Sequence, residues 1–360
     1  MDFSVELLRN LPWHAAHWHE LQALRARHAH AILLHGPAGV GKKGLALDLA
    51  AAVLCEAPVE EGRACGRCAG CILTARRNHP DLRIVVPDRL AWLRPEDIDV
   101  DREEELPTRG TEEASGRPSG EISIDDVRAL VALLDLTTHR GGYRVVVLTP
   151  AEAMTAEAAN ALLKMLEEPP PRTLFILTSD QLDEVLPTVI SRCMLVRVGL
   201  PPQAVALPWL RAHGVEDAAQ ALAEVGGAPL LALPRTHLPA QVRRLLRAAL
   251  ASGARLDAVT VGAQLPRTVV VAEVICLFLR WAWDLLALRF GGSVRYHLNE
   301  RDALVRLARQ WSTASLLEWI DLLLRARASA EHSLNARLTV EALLLEYVRR
   351  LRADNLGVAT

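Results

Sequence analysis

The sequence predicts a doubly wound α/β domain with a parallel sheet, followed by an all-helical region. Short runs of apolar and β-branched residues alternate with helical segments as far as Pro201, and a glycine-rich turn follows the first of these runs. Beyond Pro201 the strand pattern stops, and leucine, alanine and arginine recur at helical spacing as far as Leu351. Strands that are separated by helices pair in parallel, which is why we expect a parallel sheet.

The individual elements of the first part follow from the same patterns. Residues 18–27 are predicted to be helical, and an alanine- and leucine-rich helix is predicted from about Lys42 to Cys55. The short apolar runs have the β-branched content of buried strands. Four strands are therefore predicted, at residues 31–34, 82–86, 144–148 and 174–178.

The segment 94–121 interrupts this alternation. It holds ten acidic residues and four arginines, a local net charge of −6, together with proline, glycine and serine. No apolar periodicity survives in it, so we expect a mobile surface insertion. A solvated loop without any function is the simplest interpretation.

Composition excludes several classes of protein. The chain has 360 residues, 51% of them hydrophobic, which favours two or three folded domains over disorder. Its 41 basic and 43 acidic residues give no overall positive field, so contact with nucleic acid would need a local patch or a partner. The first residues lack the pattern of a secretory signal, and the longest apolar stretch, 268–279, is too short to span a bilayer. We therefore expect a cytoplasmic protein.

Residues 36–43, Gly-Pro-Ala-Gly-Val-Gly-Lys-Lys, nearly match the phosphate-binding P-loop. The glycines (Gly36, Gly39, Gly41) let backbone N–H groups approach phosphates, and Lys42 can reach the β- and γ-phosphates. Lys43 departs from the pattern, because a Mg²⁺ ligand there requires a hydroxyl group. This phosphate loop therefore predicts P-loop ancestry, whereas ATP hydrolysis is not expected and nucleotide binding stays open.

The second half of such a site is also altered. An apolar strand that ends in acidic residues normally holds the metal ion and orients water. Here the strand 143–148 ends in Thr149 and Pro150, and Glu152 comes too late without a change of register. Two independent losses favour an inactive site.

Four of the six cysteines, Cys55, Cys65, Cys68 and Cys71, fall within one short segment that we call the cysteine module, residues 55–71. Four thiolates are the usual complement of a structural, tetrahedral Zn²⁺ site with no open position. Free or redox-active thiols and an iron–sulfur cluster are the alternatives. A disulfide framework is a poor interpretation in a long chain of this kind.

These features together resemble the bacterial clamp loaders of the AAA+ family. The resemblance rests on the phosphate loop, the cysteine module, the Asn-His-Pro-Asp run at 78–81, the stretch NALLKMLEEPP at 160–170, and Ser-Arg-Cys at 191–193. It also includes residues 335–345, near the C-terminal end of the sequence, and it covers nearly all of the chain outside the acidic insertion.

The resemblance implies an AAA+ P-loop domain over residues 1–199 with an inserted zinc module. A small helical lid over 200–241 and an all-helical collar over 242–360 would follow. It also implies that Arg192 of the Ser-Arg-Cys motif acts as an arginine finger on the ATP of a neighbouring subunit. Leu230 stands where the motor subunits have a phosphate-sensing arginine.

A clamp-loader subunit with these losses is expected to be non-hydrolysing and stator-like, without activity of its own but part of the DNA-directed DNA polymerase III holoenzyme. Its partners would be the clamp-loader ATPase (gamma/tau) and delta subunits, the sliding clamp and, through the assembly, primed DNA. An ATP-hydrolysing motor subunit and a zinc-containing DNA-binding module are the alternatives. The absence of a basic segment with interleaved aromatic residues disfavours the latter.

Overall fold

The computed structural model describes residues 10–88, 90, 119–134, 142–233, 238–266, 269–328 and 335–357. The chain divides into two compact units, residues 2–200 and 201–360. Residues 94–118 of the predicted acidic insertion lie outside the described part of the chain. The predicted lid and collar both fall in the second unit, and the boundary between them stays a prediction.

The first unit is built on a parallel sheet whose described strands are β1 (Ala31–His35), β2 (Leu82–Val85), β3 (Arg144–Leu148), β4 (Thr173–Ser179) and β5 (Met194–Arg197). Their order in the sheet is β2-β3-β4-β1-β5. The prediction of a parallel α/β fold is confirmed. Strand β5 was not predicted, because it lies at an edge of the sheet and only Val196 of its four residues is buried.

Helices cover both faces of this sheet, as alternating strand side chains require. Ile32 and Leu34 of β1 pack with Leu45 on one face, whereas Leu33 packs with Leu162 on the other. The helices of the first unit are α1 (Ala15–Ala26), α2 (Lys42–Val53), α3 (Ala69–Ala75), α4 (Ile124–Leu134), α5 (Ala156–Glu167) and α6 (Pro187–Ile190).

The described residues of the second unit form helices and short 3-10 turns, without a strand. Five aromatic side chains of the described residues, Phe278, Trp281, Trp311, Trp319 and Tyr347, are fully buried in its core. The helices are α7 (Gln203–Ala212), α8 (Ala218–Glu224), α9 (Ala240–Ala251), α10 (Ala258–Gln264), α11 (Val271–Arg289), α12 (Arg301–Gln310), α13 (Thr313–Ala328) and α14 (Ala336–Gly357). Over the part of the chain described, none of the helices has the length and apolar character needed to cross a membrane.

Candidate functional site

The phosphate loop connects the end of β1 to the start of α2. At two of its positions, the backbone conformation and the close neighbours leave room only for glycine. Gly36 has φ +147°, and a Cβ atom there would lie 2.1 Å from the carbonyl oxygen of Val198. Gly41 has φ +94°, and its Cβ would lie 2.3 Å from Cδ1 of Leu11. Any larger residue at either position would have to displace its neighbours, so the loop is closely packed on both sides.

Trp13 and His14, in the segment before α1, make hydrogen bonds to the backbone of the phosphate loop. Trp13 Nε1 donates a hydrogen bond of 2.8 Å to the carbonyl oxygen of Val40, and His14 Nε2 lies 2.9 Å from the same oxygen. Burial lowers the pKa of His14 to about 4, so its ring is neutral near pH 7. A neutral ring that meets a carbonyl oxygen through Nε2 donates its hydrogen there, which assigns the Nε2–H tautomer.

Lys42 is buried, and its ammonium group is fully paired within the chain. Nζ donates to the carbonyl oxygens of Gly36 and Pro37, both at 2.7 Å, and lies 2.5 Å from Oδ1 of Asp180. An ammonium group has three hydrogens to donate, and these contacts use all three. Asp180 was not among the residues predicted from the sequence, although its position directly after an apolar strand was a signal for it.

Glu152 contributes to the same site in a way that the sequence did not indicate. It lies in the short 3-10 turn Ala151–Ala153 after β3, and its Oε1 accepts a 2.9 Å hydrogen bond from the backbone N–H of Asp180. Glu152 therefore helps to position Asp180, the residue that pairs with Lys42.

Thr149 occupies the strand end where an acidic residue would normally bind Mg²⁺, and a second buried threonine, Thr178, lies beside it. Thr149 follows β3 and Thr178 lies in β4; their hydroxyl oxygens are 2.6 Å apart, and both side chains are buried. Lys43, at the second position of α2, supplies an ammonium group instead of the hydroxyl ligand. The glycine backbone of this site suits a phosphate, but Thr149, Pro150 and Lys43 do not provide the usual Mg²⁺ ligands.

The cysteine module brings its four thiols together. The Sγ atoms of the four cysteines all lie within 4.8 Å of one another. Cys55 to Cys68 and Cys65 to Cys71 are 3.9 Å between sulfurs, close to the ~3.8 Å that tetrahedral Zn–S bonds of about 2.3 Å impose. The cluster could therefore hold a metal such as zinc.

Backbone N–H groups of the module point at these sulfurs. The N–H groups of Cys65, Cys68 and Cys71 donate to the sulfurs of Cys55, Cys65 and Cys68 at 3.3–3.4 Å. Backbone hydrogen bonds from Arg67 and Cys68 lower the pKa of the Cys65 thiol to about 6. Thiolate is the form that binds metal, so the backbone at Cys65 favours the metal-binding form, whereas burial raises the pKa of the Cys71 thiol to about 12.

The module is anchored on α1. Trp18 Nε1 donates to the carbonyl oxygen of Glu61 at 3.0 Å, and the guanidinium carbon of Arg63 lies 4.6 Å from the centre of the Trp18 ring. The module therefore packs against the helix that follows the Trp13–His14 contact with the phosphate loop.

Arg192 is held at the surface by the end of α5. Its Nε donates to Oε1 of Glu167 at 2.8 Å, Nη2 contacts the same carboxylate, and Nη1 donates to the carbonyl oxygen of Thr188 at 2.9 Å. The side chain stays 31% exposed. Two elements of the predicted motif, the helix that contains Lys164 and Glu167 and the Ser-Arg-Cys turn, thus meet in one place.

Arg192 and the phosphate loop lie at opposite ends of the parallel strands. Strands β1 and β5 are parallel, with Ile32 opposite Met194 and His35 opposite Arg197. The loop follows the end of β1, whereas Arg192 precedes the start of β5. A five-residue strand is about 16 Å long, so Arg192 and Lys42 are not brought together within one chain.

The sheet order and the glycine loop between β1 and α2 define a P-loop α/β protein of the AAA+ type. A sequence model of the family described as DNA polymerase III, delta subunit, matches residues 15–201. The chain belongs to this family, as the resemblance in its sequence predicted.

The relatives of the chain carry a more particular description. Over 225 residues it is 42% identical to DNA polymerase III subunit delta' of Pseudomonas aeruginosa, covering 61% of this chain and 60% of that protein. Over 254 residues it is 34% identical to the delta' subunit of Yersinia pestis, covering 68% and 65%. The delta' subunit of Escherichia coli is 31% identical over 205 residues, covering 56% and 53%. The matched region thus spans less than two thirds of each of these relatives.

Proposed function

We propose that this chain is a non-hydrolysing, stator-like delta-prime subunit of a DNA polymerase III clamp loader. It would present Arg192 to the nucleotide of a neighbouring ATPase subunit. The observation that carries this proposal is the pairing of Lys42, whose three ammonium hydrogens are all bound within the chain.

The lack of hydrolysis follows from what the phosphate loop offers. A productive P-loop needs a free lysine, a hydroxyl ligand for Mg²⁺ and an acidic strand end. Here Lys42 is paired with Asp180, Lys43 replaces the hydroxyl residue, and Thr149 occupies the strand end. A nucleotide could enter only by displacing Asp180, and it would still find no Mg²⁺ ligand at the usual positions.

The role of Arg192 in trans follows from its place in the fold. A guanidinium group stabilises charge on a transferring phosphoryl group only when it touches that group. Arg192 lies at the end of the strands opposite to its own phosphate loop, so its target would belong to another subunit. Glu167 and the Thr188 carbonyl would hold the side chain in place before any partner arrives.

The cysteine module is proposed to bind one structural Zn²⁺ ion through Cys55, Cys65, Cys68 and Cys71. Four thiolates close the coordination shell, so the ion would stabilise the fold of the module and leave no position for a substrate. Trp18 and Arg63 would then transmit that stability to α1.

Association with other subunits is proposed to use the helical second unit, whose residues 200–241 and 242–360 we assign to a lid and a collar. Large apolar side chains are exposed on four of its described helices, among them Leu338 (60%), Val259 (58%) and Trp283 (53%), and Phe290, directly after α11, is 74% exposed. We assign gamma/tau and delta subunits as partners in a cytoplasmic complex that acts on the sliding clamp at primed DNA.

Two measurements test this function. The purified chain with Mg²⁺ should hydrolyse no ATP above the level of a Lys42→Ala variant, which controls for contaminating enzymes. Turnover that disappears in Lys42→Ala would overturn the proposal and favour a motor subunit.

The second measurement uses a clamp loader reconstituted with its ATPase subunits. Arg192→Ala should lower the ATPase rate of the complex by roughly 10³-fold or more at the one affected site, without loss of assembly. Arg128→Ala removes another surface arginine that pairs with a carboxylate, Asp125, and should change nothing. Equal rates for both variants would exclude the arginine-finger role.

A further inference from the structure

A cavity of about 580 Å³ lies at the N-terminal ends of the strands, whereas the phosphate loop lies at their C-terminal ends. Its walls include His30, Tyr143 and the 169–172 turn, which precede β1, β3 and β4, and the last turn of α1 closes one side. The volume lies within the range of sites for small molecules. Arg192 is not among its lining residues, so this site is separate from the function proposed above.

The charge of this basic cavity is one-sided. Arg25, Arg172, His28 and His30 line it, and none of its described lining residues is aspartate or glutamate. The guanidinium group of Arg25 has no carboxylate beside it in the described lining, which favours a positive potential there. A positive, partly enclosed space of this kind attracts anions.

Two buried polar groups of the cavity wall have no hydrogen-bond partner among the described residues. Thr173 is 5% exposed, and its Oγ1 makes no hydrogen bond. Gln22 Nε2 is also buried and unpaired, although Oε1 of the same side chain accepts from Arg25 at 2.9 Å. Buried polar groups are nearly always satisfied in folded proteins, so each of these points to a missing polar partner.

Arg25 is half-buried, and it has no acidic partner among the described lining residues of the cavity. Burial lowers the pKa of its guanidinium group, and its side-chain hydrogen bond is to the neutral amide of Gln22. Its position in the last turn of α1 compensates the helix dipole, which accounts for a positive charge at this place. The dipole does not account for the unpaired groups of Thr173 and Gln22 in the same wall.

We propose that the basic cavity is a binding site for a small ligand that carries a phosphate group. Phosphate oxygens would accept from Gln22 Nε2 and from the Thr173 hydroxyl, which have no other acceptor among the described residues, and from the Arg25 guanidinium group. The ring of Tyr143, 43% exposed, and the prolines of the 169–171 run offer an apolar wall for the remainder of the ligand. A nucleoside monophosphate has the size and the planar apolar part that such a wall suits.

Calorimetric titration of the full chain tests this site, with inorganic phosphate, dAMP and succinate as three separate probes. We expect 1:1 binding of dAMP that persists in Lys42→Ala, because that variant alters only the phosphate loop. Arg25→Gln and Thr173→Val should each weaken binding, Arg25→Gln by roughly tenfold or more. Arg211→Gln is the matched control, since Arg211 also lies in the last turn of a helix but outside the cavity.

Each possible result of the titrations either supports or overturns the proposed site. Binding of phosphate or dAMP that depends on Arg25 and Thr173 supports the site, and tighter binding of dAMP assigns a nucleotide. No binding of either at millimolar concentration overturns the proposal. So does binding that is lost in Lys42→Ala but kept in Arg25→Gln, or succinate binding as tight as that of phosphate. Thr173→Val preserves side-chain volume, and its thermal unfolding temperature checks that a loss of binding is not a loss of folding.

Discussion

Nζ of Lys42 lies 2.5 Å from Oδ1 of Asp180, so the lysine of the phosphate loop is paired with a carboxylate of its own chain. Asp180 follows β4, the strand next to β1, and Glu152 holds its backbone N–H. A carboxylate beside the P-loop lysine occupies the place that a phosphate oxygen would take. The chain therefore supplies its own anion at the site where its sequence resembles a nucleotide-binding loop.

Removal of the Asp180 charge should open this site. In Asp180→Asn, Lys42 keeps its two carbonyl contacts but loses its charged partner, so a nucleotide phosphate no longer competes with a carboxylate. We expect the affinity for ADP to rise by roughly tenfold, while ATP hydrolysis stays absent because the Mg²⁺ ligands are still missing. Fluorescent ADP binding measures the change. Asp183→Asn, an exposed acid in the following turn, is the control, and equal affinities in both variants would show that Asp180 does not block the loop.

Zinc content tests the cysteine module. We expect about one Zn²⁺ per purified chain, and Cys68→Ser should lower both the zinc content and the thermal unfolding temperature, since four-thiolate sites contribute directly to folding. Cys276→Ser, which changes a cysteine outside the cluster, should leave the zinc content unchanged. Metal analysis and thermal melts provide the two readouts. A metal-free chain that melts at the same temperature with and without a chelator would contradict a structural zinc site.

The pH dependence of stability should report the buried ring of His14. Its pKa is about 4 in the folded chain against 6.5 for an ordinary histidine, with burial as the main cause and the nearby His17 as a smaller one. Between these two values the unfolded chain binds more protons than the folded chain, so the free energy of unfolding rises with pH. The contribution is present in full above pH 6.5 and is lost as the pH falls towards 4, by about 3 kcal/mol in total.

Urea unfolding at pH 7 and pH 5 measures this slope. His14→Gln should reduce the difference between the two pH values, whereas His213→Gln, an exposed histidine of the second unit, should preserve it. An unchanged slope in His14→Gln would show that another group is responsible.

The sequence predicted the parts of the fold that have a local signal. Strands such as β3 are buried on both faces and appear as continuous apolar runs, whereas β5 escaped because three of its four residues are exposed at the sheet edge. The four cysteines were identified by their spacing alone. The partner of Lys42 was not, since Asp180 is 138 positions away in the sequence and reaches the loop only through the pairing of β1 with β4. The basic cavity was missed for the same reason, because its walls come from segments that are distant in sequence.

Gly36 provides the sharpest test of how closely the phosphate loop is packed. A Cβ atom at this position would meet the carbonyl oxygen of Val198 at 2.1 Å, and φ is +147°, so Gly36→Ala combines a backbone clash with a strained conformation. Gly214→Ala is the matched control, because φ there is +79° but nothing lies within 4 Å of the added atom. We expect Gly214→Ala to cost about 1–2 kcal/mol from the dihedral angle alone, and Gly36→Ala to cost clearly more. Urea unfolding of both variants compares them, and equal losses would mean that β1 and the end of β5 can separate at no cost.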